Sequence, residues 1–175
     1  MVKAWFMPNT VTDPRDENQL NPPEPATLEQ LSKIGVLYYY SEKRDGLDKI
    51  AKERGYDNND EVVISKNTLP NYEDKVKAFF EEHLHTDEEI RYIADGYGYF
   101  DVRDGEDRWI RILSEPGDLL ILPAGIYHRF APRHDDYVHA VRMFRGLPKW
   151  EAHNRSEEAD SLPERVQYTK EVLTQ

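Results

Sequence analysis

The sequence predicts a mainly β protein with flanking helices, folded as an antiparallel barrel or jelly roll, and three observations carry that expectation. Between residues 85 and 145 the chain passes through the short β-rich runs EEIRYIA, YGYFDVR, RWIRIL, DLLILP and YVHAVRMF. Turn signals such as Asp95-Gly96, Asp104-Gly105 and Pro116-Gly117 separate them, which is the pattern of a closed antiparallel sheet. The segments on either side instead show helical spacing or a polar composition.

Taken in order, Val2 to Met7 reads as a short strand, and the stretch from Pro8 to Pro25, rich in Pro, Asp and Asn, reads as loop. Thr27 with Gln30 three residues later makes a capping-box start; Leu28, Leu31 and Ile34 follow at helical spacing, and Gly35 stops the helix. Val36 to Tyr40 is β-like. A second helix spans Leu47 to Arg54 and ends at Gly55, and Glu61 to Ser65 is a short strand candidate. Tyr72, Val76, Phe79 and Phe80 recur at helical intervals, so Glu73 to Glu82 reads as an amphipathic helix leading into the β-rich region. The tail from Gly146 is polar, with a helix expected after Pro163.

A chain of 175 residues suits one domain. We divide it into N-terminal strands and helices (1–82), a barrel core (83–145) and a C-terminal extension packing on the barrel (146–175). The hydrophobic fraction is only 38%, but 11 Tyr, 6 Phe and 3 Trp supply bulky core material. A net charge of −11 repels nucleic-acid backbones and anionic lipid surfaces, so neither is an expected partner. The absence of Cys excludes disulfides and thiolate metal sites. No segment approaches a signal peptide or the apolar length of a membrane span. The expected location is the cytoplasm, with the nucleus as a second compartment, and the expected state is a monomer.

The chemistry concentrates in His83-Leu84-His85-Thr86-Asp87-Glu88-Glu89, joined much later by His128 in PAGIYHRF. If the first segment is one extended strand, residues 83, 85, 89 and 91 project from one face and Glu88 from the other, which selects Glu89 over its neighbour. Three imidazoles and a carboxylate, with no sulfur, suit borderline divalent ions such as iron, nickel, cobalt, zinc or manganese. An octahedral ion held by four side chains keeps two positions open, the condition for catalysis. The HxH pair alone is also common on solvated loops. What adds weight is the downstream segment, in which Gly117, Pro123, Gly125 and His128 set a strand, a tight turn and a return into the next strand.

These two segments resemble the paired signatures of the cupin superfamily of metal-centred jelly rolls (double-stranded β-helix barrels), the first running His83, His85, Glu89, Gly96. Lys77 stands where the first signature usually begins with Gly, and Pro132 where the second usually ends with Asn. Both are non-ligand positions. More narrowly, EEHLHTDEEIRYIADGYGYFDVRD, GDLLILPAGIYHRF, PKWEAHNRSEEADSLPERVQY, the opening MVKAWFMPN and IGVLYYY resemble the acireductone dioxygenases of eukaryotic type, over nearly the whole chain.

That resemblance implies His83, His85, Glu89 and His128 as ligands of one Fe2+, alternatively Ni2+, per chain. It implies a small-molecule acireductone and O2 as the reactants, cleaved within methionine salvage. Arg91 becomes a catalytic candidate able to lower the pKa of an enediol, and Phe79, Phe130 and Trp150 become candidates for walling a methylthio tail. Without the resemblance Arg91 reads as an ordinary surface salt bridge, while Phe79, four residues before His83, and Phe130, on the parity of His128, read equally as cavity wall and as barrel core. The alternatives are a cupin metalloenzyme of another chemistry, such as a zinc isomerase or manganese oxidase, and a non-catalytic cupin binding module. His134, His139 and His153 fall outside both signatures and receive no role.

Overall fold

A computed structural model describes residues 2–148 and 150–174. Two antiparallel sheets build the jelly roll. The first contains β1 (Lys3–Phe6), β7 (Trp109–Ser114), β6 (Gly98–Arg103), β9 (His128–Pro132), β4 (His83–Leu84) and β11 (His153–Asn154), in that spatial order. The second is ordered β2 (Leu37–Tyr40), β8 (Asp118–Leu122), β5 (Glu89–Gly96), β10 (Tyr137–Phe144) and β3 (Asn58–Ser65). Strands from before residue 83 and after residue 145 thus form the outer members of both sheets.

The helices follow local sequence chemistry. In α1 (Leu28–Lys33), the Thr27 side chain accepts from the Gln30 amide at 3.1 Å, and the Gln30 side chain accepts from the Thr27 amide at 2.8 Å, which satisfies two amides that have no partner within the helix. α2 (Leu47–Arg54) ends on Gly55 in the left-handed region, and α3 (Tyr72–Phe79) delivers the chain to β4. Beyond β11 lie α4 (Glu157–Asp160) and α5 (Pro163–Tyr168), the latter starting at the expected proline. No helix among the described residues is long and apolar enough to cross a membrane.

Strand alternation sorts the side chains. In β8, Leu120 and Leu122 join a cluster with Phe100, Val102, Ile110 and Ile112 of the opposite sheet, while Leu119 and Ile121 join a second cluster with Leu47 of α2. All five β8 residues are therefore buried, which explains why Leu119 to Leu122 is a continuous apolar run instead of an alternating one. In β5 the same alternation sends Glu89, Arg91 and Ile93 into a cavity and Ile90 and Tyr92 toward α2. The outward face of the first sheet carries a buried charged row: Asp101 lies opposite Arg111 on one side and Arg129 on the other. Its carboxylate accepts from both, with N···O distances of 2.7 and 2.9 Å to Arg111 and 2.9 Å to Arg129.

One expectation from the sequence is corrected. Residues 83–91 do not form a single extended strand: β4 ends at Leu84, the chain bends at Thr86-Asp87, and β5 begins at Glu89 in the other sheet. His83 and Glu89 share a cavity because a crossover turns both faces inward. Glu88 does point away, accepting from Arg54 at 2.8 Å and from Tyr56.

Candidate metal centre

His83 and His128 are register partners in the β4–β9 pair, so sheet pairing alone sets two of the three rings side by side. The loop carrying Pro123 and Gly125 leads into His128 and is tied to His85: the Gly125 amide donates to the His85 carbonyl at 3.0 Å, and the Gly125 carbonyl accepts from Arg165 at 3.0 Å. Gly125 adopts φ +86°, and a Cβ there would lie 2.6 Å from the Glu164 carbonyl oxygen, so both conformation and space require glycine.

Ligand atoms of His83, His85 and His128 all lie within 4.8 Å of one another. Each ring is held from behind by a backbone carbonyl on Nδ1: Glu81 at 2.6 Å, Glu151 at 2.9 Å and Ile126 at 3.0 Å. A carbonyl can only accept, so each neutral ring carries its proton on Nδ1 and presents a bare Nε2 lone pair. Three rings so oriented make a set of neutral donors with fixed tautomers. Glu89 joins them, with Oε2 at 3.7 Å from His85 Nε2 and in close contact with His128 Nε2. Those two atoms, Glu89 Oε2 and His128 Nε2, are buried without a hydrogen-bond partner. Two acceptors facing each other away from water repel unless a cation lies between them, so the donor set fits a bound metal ion.

The electrostatics agree. Burial, with His128 nearby, lowers the pKa of His83 to about 4, and burial lowers that of His85, so both rings are neutral near neutrality. Burial pushes the Glu89 carboxyl up, but the charge of Arg91, first among the opposing groups, outweighs it and the group stays well below the ordinary carboxylate value. Arg91 Nη2 stands 3.2 Å from Glu89 Oε1, and burial lowers the guanidinium's own pKa.

The donors line a cavity of about 320 Å³. Phe79, Phe130 and Trp150 all line it, as does Arg91, so every residue singled out from the sequence is brought together here. Phe130 packs edge-on to Phe79 at 6.3 Å and against Phe100 at 4.9 Å. Trp150, 40% exposed, lies at the rim, with Arg142 over its ring at 4.1 Å. Arg142 was missed in the sequence. It lies opposite Arg91 in the β5–β10 register and is held by Asp60 at 2.8 and 2.6 Å. The available signal was period-2: in YVHAVRMF an arginine occupies the face otherwise formed by Val138 and Ala140. His139 lies 3.5 Å from Glu61, and His134 pairs with Asp16 on an exposed loop. Asp13, Asp16 and His134 also cluster, but they are solvent-accessible and Arg15 occupies Asp13.

A match to the ARD/ARD' family spans residues 3–152. The chain belongs to the acireductone dioxygenase family. Acireductone dioxygenases of Ixodes scapularis and Rattus norvegicus are each 52% identical to it, covering 98% and 97% of this chain and 97% of their own. That of Homo sapiens is 51% identical, with 97% of both chains covered. Membership makes this chain an enzyme. The fold agrees with that of an acireductone dioxygenase from Bacillus anthracis, described with a cadmium ion in its active centre, at a TM-score of 0.69 and 23% identity over 87% of this chain and 97% of that one. The family's barrel is thus the jelly roll described above, a cupin.

Proposed function

We propose that the protein uses a divalent metal ion held by His83, His85, Glu89 and His128 to cleave the acireductone 1,2-dihydroxy-3-keto-5-methylthiopentene with O2. The observation that carries this reading is the convergence of three tautomer-fixed imidazoles and one carboxylate on a cavity lined otherwise by Arg91, Arg142 and apolar side chains. The metal in the Bacillus relative's active centre supports the same reading. The expected ion is Fe2+, giving 4-methylthio-2-oxobutanoate and formate; Ni2+ is the alternative, giving methylthiopropionate, formate and carbon monoxide. Either outcome belongs to methionine salvage. All four donors come from one chain, which supports one ion per chain and a monomer as the catalytic unit, and a cysteine-free chain suits the reducing cytoplasm.

A divalent ion bound there would be held by His83, His85, Glu89 and His128 and would supply Lewis acidity to the substrate oxygens. The remaining work falls to the side chains. Three neutral imidazoles and one carboxylate leave the centre net positive, and Arg91 adds a buried cation, so the cavity favours the enediolate over the enediol. Arg91 is itself held by Glu89 and by the Ile90 carbonyl at 3.0 Å, which orients the guanidinium before substrate arrives. Phe79, Phe130 and their apolar neighbours receive the methylthio tail and exclude water, while Trp150 covers the rim.

The test is direct. Purified protein loaded with ferrous iron should consume O2 and acireductone in equal amounts and release the keto acid. His83→Ala and Glu89→Ala should lose both bound metal and turnover; full activity and metal content in either would overturn the ligand assignment.

A further inference from the structure

Gly98 is a glycine whose backbone does not require glycine. It lies inside β6, is buried, and has no left-handed φ, so any side chain is conformationally admissible there. Space excludes one: a Cβ would lie 2.5 Å from Phe130 Cε2 and 2.7 Å from Cζ. The ring of Phe130 therefore rests on the bare backbone of Gly98.

The β6–β9 register shows what this does to the cavity. Successive inward-facing rungs pair Val102 with His128, Phe100 with Phe130, and Gly98 with Pro132, each about 7 Å beyond the last. Phe130 starts on the middle rung, yet its ring reaches over the third and leans away from the metal donors. Phe79 and Phe100 flank it. A methyl group at position 98 would project from the same sheet face and lift the ring off the strand. Phe130 and its neighbours Phe79 and Phe100 all line the cavity, so lifting the ring off the strand moves it into that space. Restoring ordinary contact, from 2.5 Å to beyond 3.4 Å, takes a shift of about 1 Å.

We propose that Gly98 determines the length of substrate tail the enzyme accepts, by giving the Phe130 ring a place to lie outside the tail's path. The inference rests on the function proposed above and names a specificity-determining position that touches neither metal nor substrate. The competing account is that Phe130 merely shields a strand glycine and stabilises the sheet, and tail-length dependence separates the two.

The experiment compares kcat/KM for O2 consumption, at equal measured metal content, with two acireductones that differ only in tail, methylthioethyl against methyl. G98A should lower the long-to-short ratio by about tenfold, the range one methylene commands in an apolar pocket. In an F130L background, where the ring atoms are gone, G98A should leave the ratio for these two tails unchanged. An unaltered ratio in G98A, or an equal fall in both backgrounds, overturns the inference. If G98A alone does not fold, F130L and G98A/F130L decide the matter, since neither carries the clash. F130L should accept a tail one methylene longer than the wild type does, and G98A/F130L should keep that gain, because no ring is left for the added methyl to displace; no gain, or a gain that G98A withdraws, refutes the role. Wild-type protein inert toward both acireductones would sink the proposed function itself, a result distinct from an unmoved ratio.

Discussion

Asp101→Asn removes one charge from the most deeply buried ionic group in the described structure. Asp101 and Arg111 are both 0% exposed and Arg129 is 9% exposed. One carboxylate serves both guanidiniums, and Arg129 already leaves Nη2 buried without a partner, between the rings of Phe80 and Trp109. Neutralising Asp101 leaves two cations without a counter-charge. Arg111 keeps its bonds to the carbonyls of Pro14 and Asp16 at 2.8 and 2.5 Å, whereas the one hydrogen bond described for Arg129 is to Asp101, and the single amide oxygen left there serves both guanidiniums. Breaking a buried pair from one side costs about 3–5 kcal/mol, and in a chain of this size each kcal/mol lowers Tm by about 2–4 °C. The expected fall is therefore on the order of 10 °C, read by circular dichroism during heating. Replacing all three residues with leucine should recover most of the loss, because the cost lies in the orphaned charges and not in packing. A D101N protein melting within about 2 °C of wild type would refute this reasoning.

Arg91→Ala should cut turnover at least tenfold while metal content by elemental analysis stays near one per chain; loss of metal instead would make Arg91 a support for Glu89. Gly125→Ala meets both a left-handed φ and the Glu164 carbonyl, so it should weaken metal retention about 10–100-fold in chelator competition, with the loop that aligns His85 and His128 displaced. Glu82→Gln tests the link between β4 and the tail, since Glu82 accepts from Arg103 at 2.8 and 3.0 Å and from Arg155 at 2.8 Å. Burial pushes the Glu82 carboxyl up, but the two arginines outweigh it and hold it below its ordinary value of 4.5. Its contribution is thus full above that ordinary value and fades as pH falls through the lower folded one. Urea unfolding should show E82Q less stable by about 1–3 kcal/mol at neutral pH, with the gap closing in acid below pH 4.5; a gap independent of pH would exclude the ion pairs as its source.

The elements legible in advance are those set by neighbours along the chain. The Thr27–Gln30 capping box, the Gly55 stop and the Pro163 start each act within a turn or so of helix, and α1, α2 and α5 formed where those signals stand. The donor types were legible too, because the absence of cysteine and the spacing of His83, His85 and Glu89 restrict the chemistry before any fold exists. Strand parity selected the right face on a wrong premise. It assumed one strand where the chain bends at Thr86-Asp87 and changes sheet, a decision made by strands far away in sequence.

By itself, the sequence determined a mainly β chain with a nitrogen and oxygen donor set, and its local signals suffice for that because capping, turn and alternation energies act over a few residues. Only the tertiary structure decided that Arg142 faces Arg91, that Phe130 lies over Gly98, and that Glu89 Oε2 meets His128 Nε2 with nothing to bond them. The first two contacts join strands paired in one sheet, and the third joins the two sheets across the barrel interior. Pairing is chosen by the packing of the whole core, which no window of sequence contains.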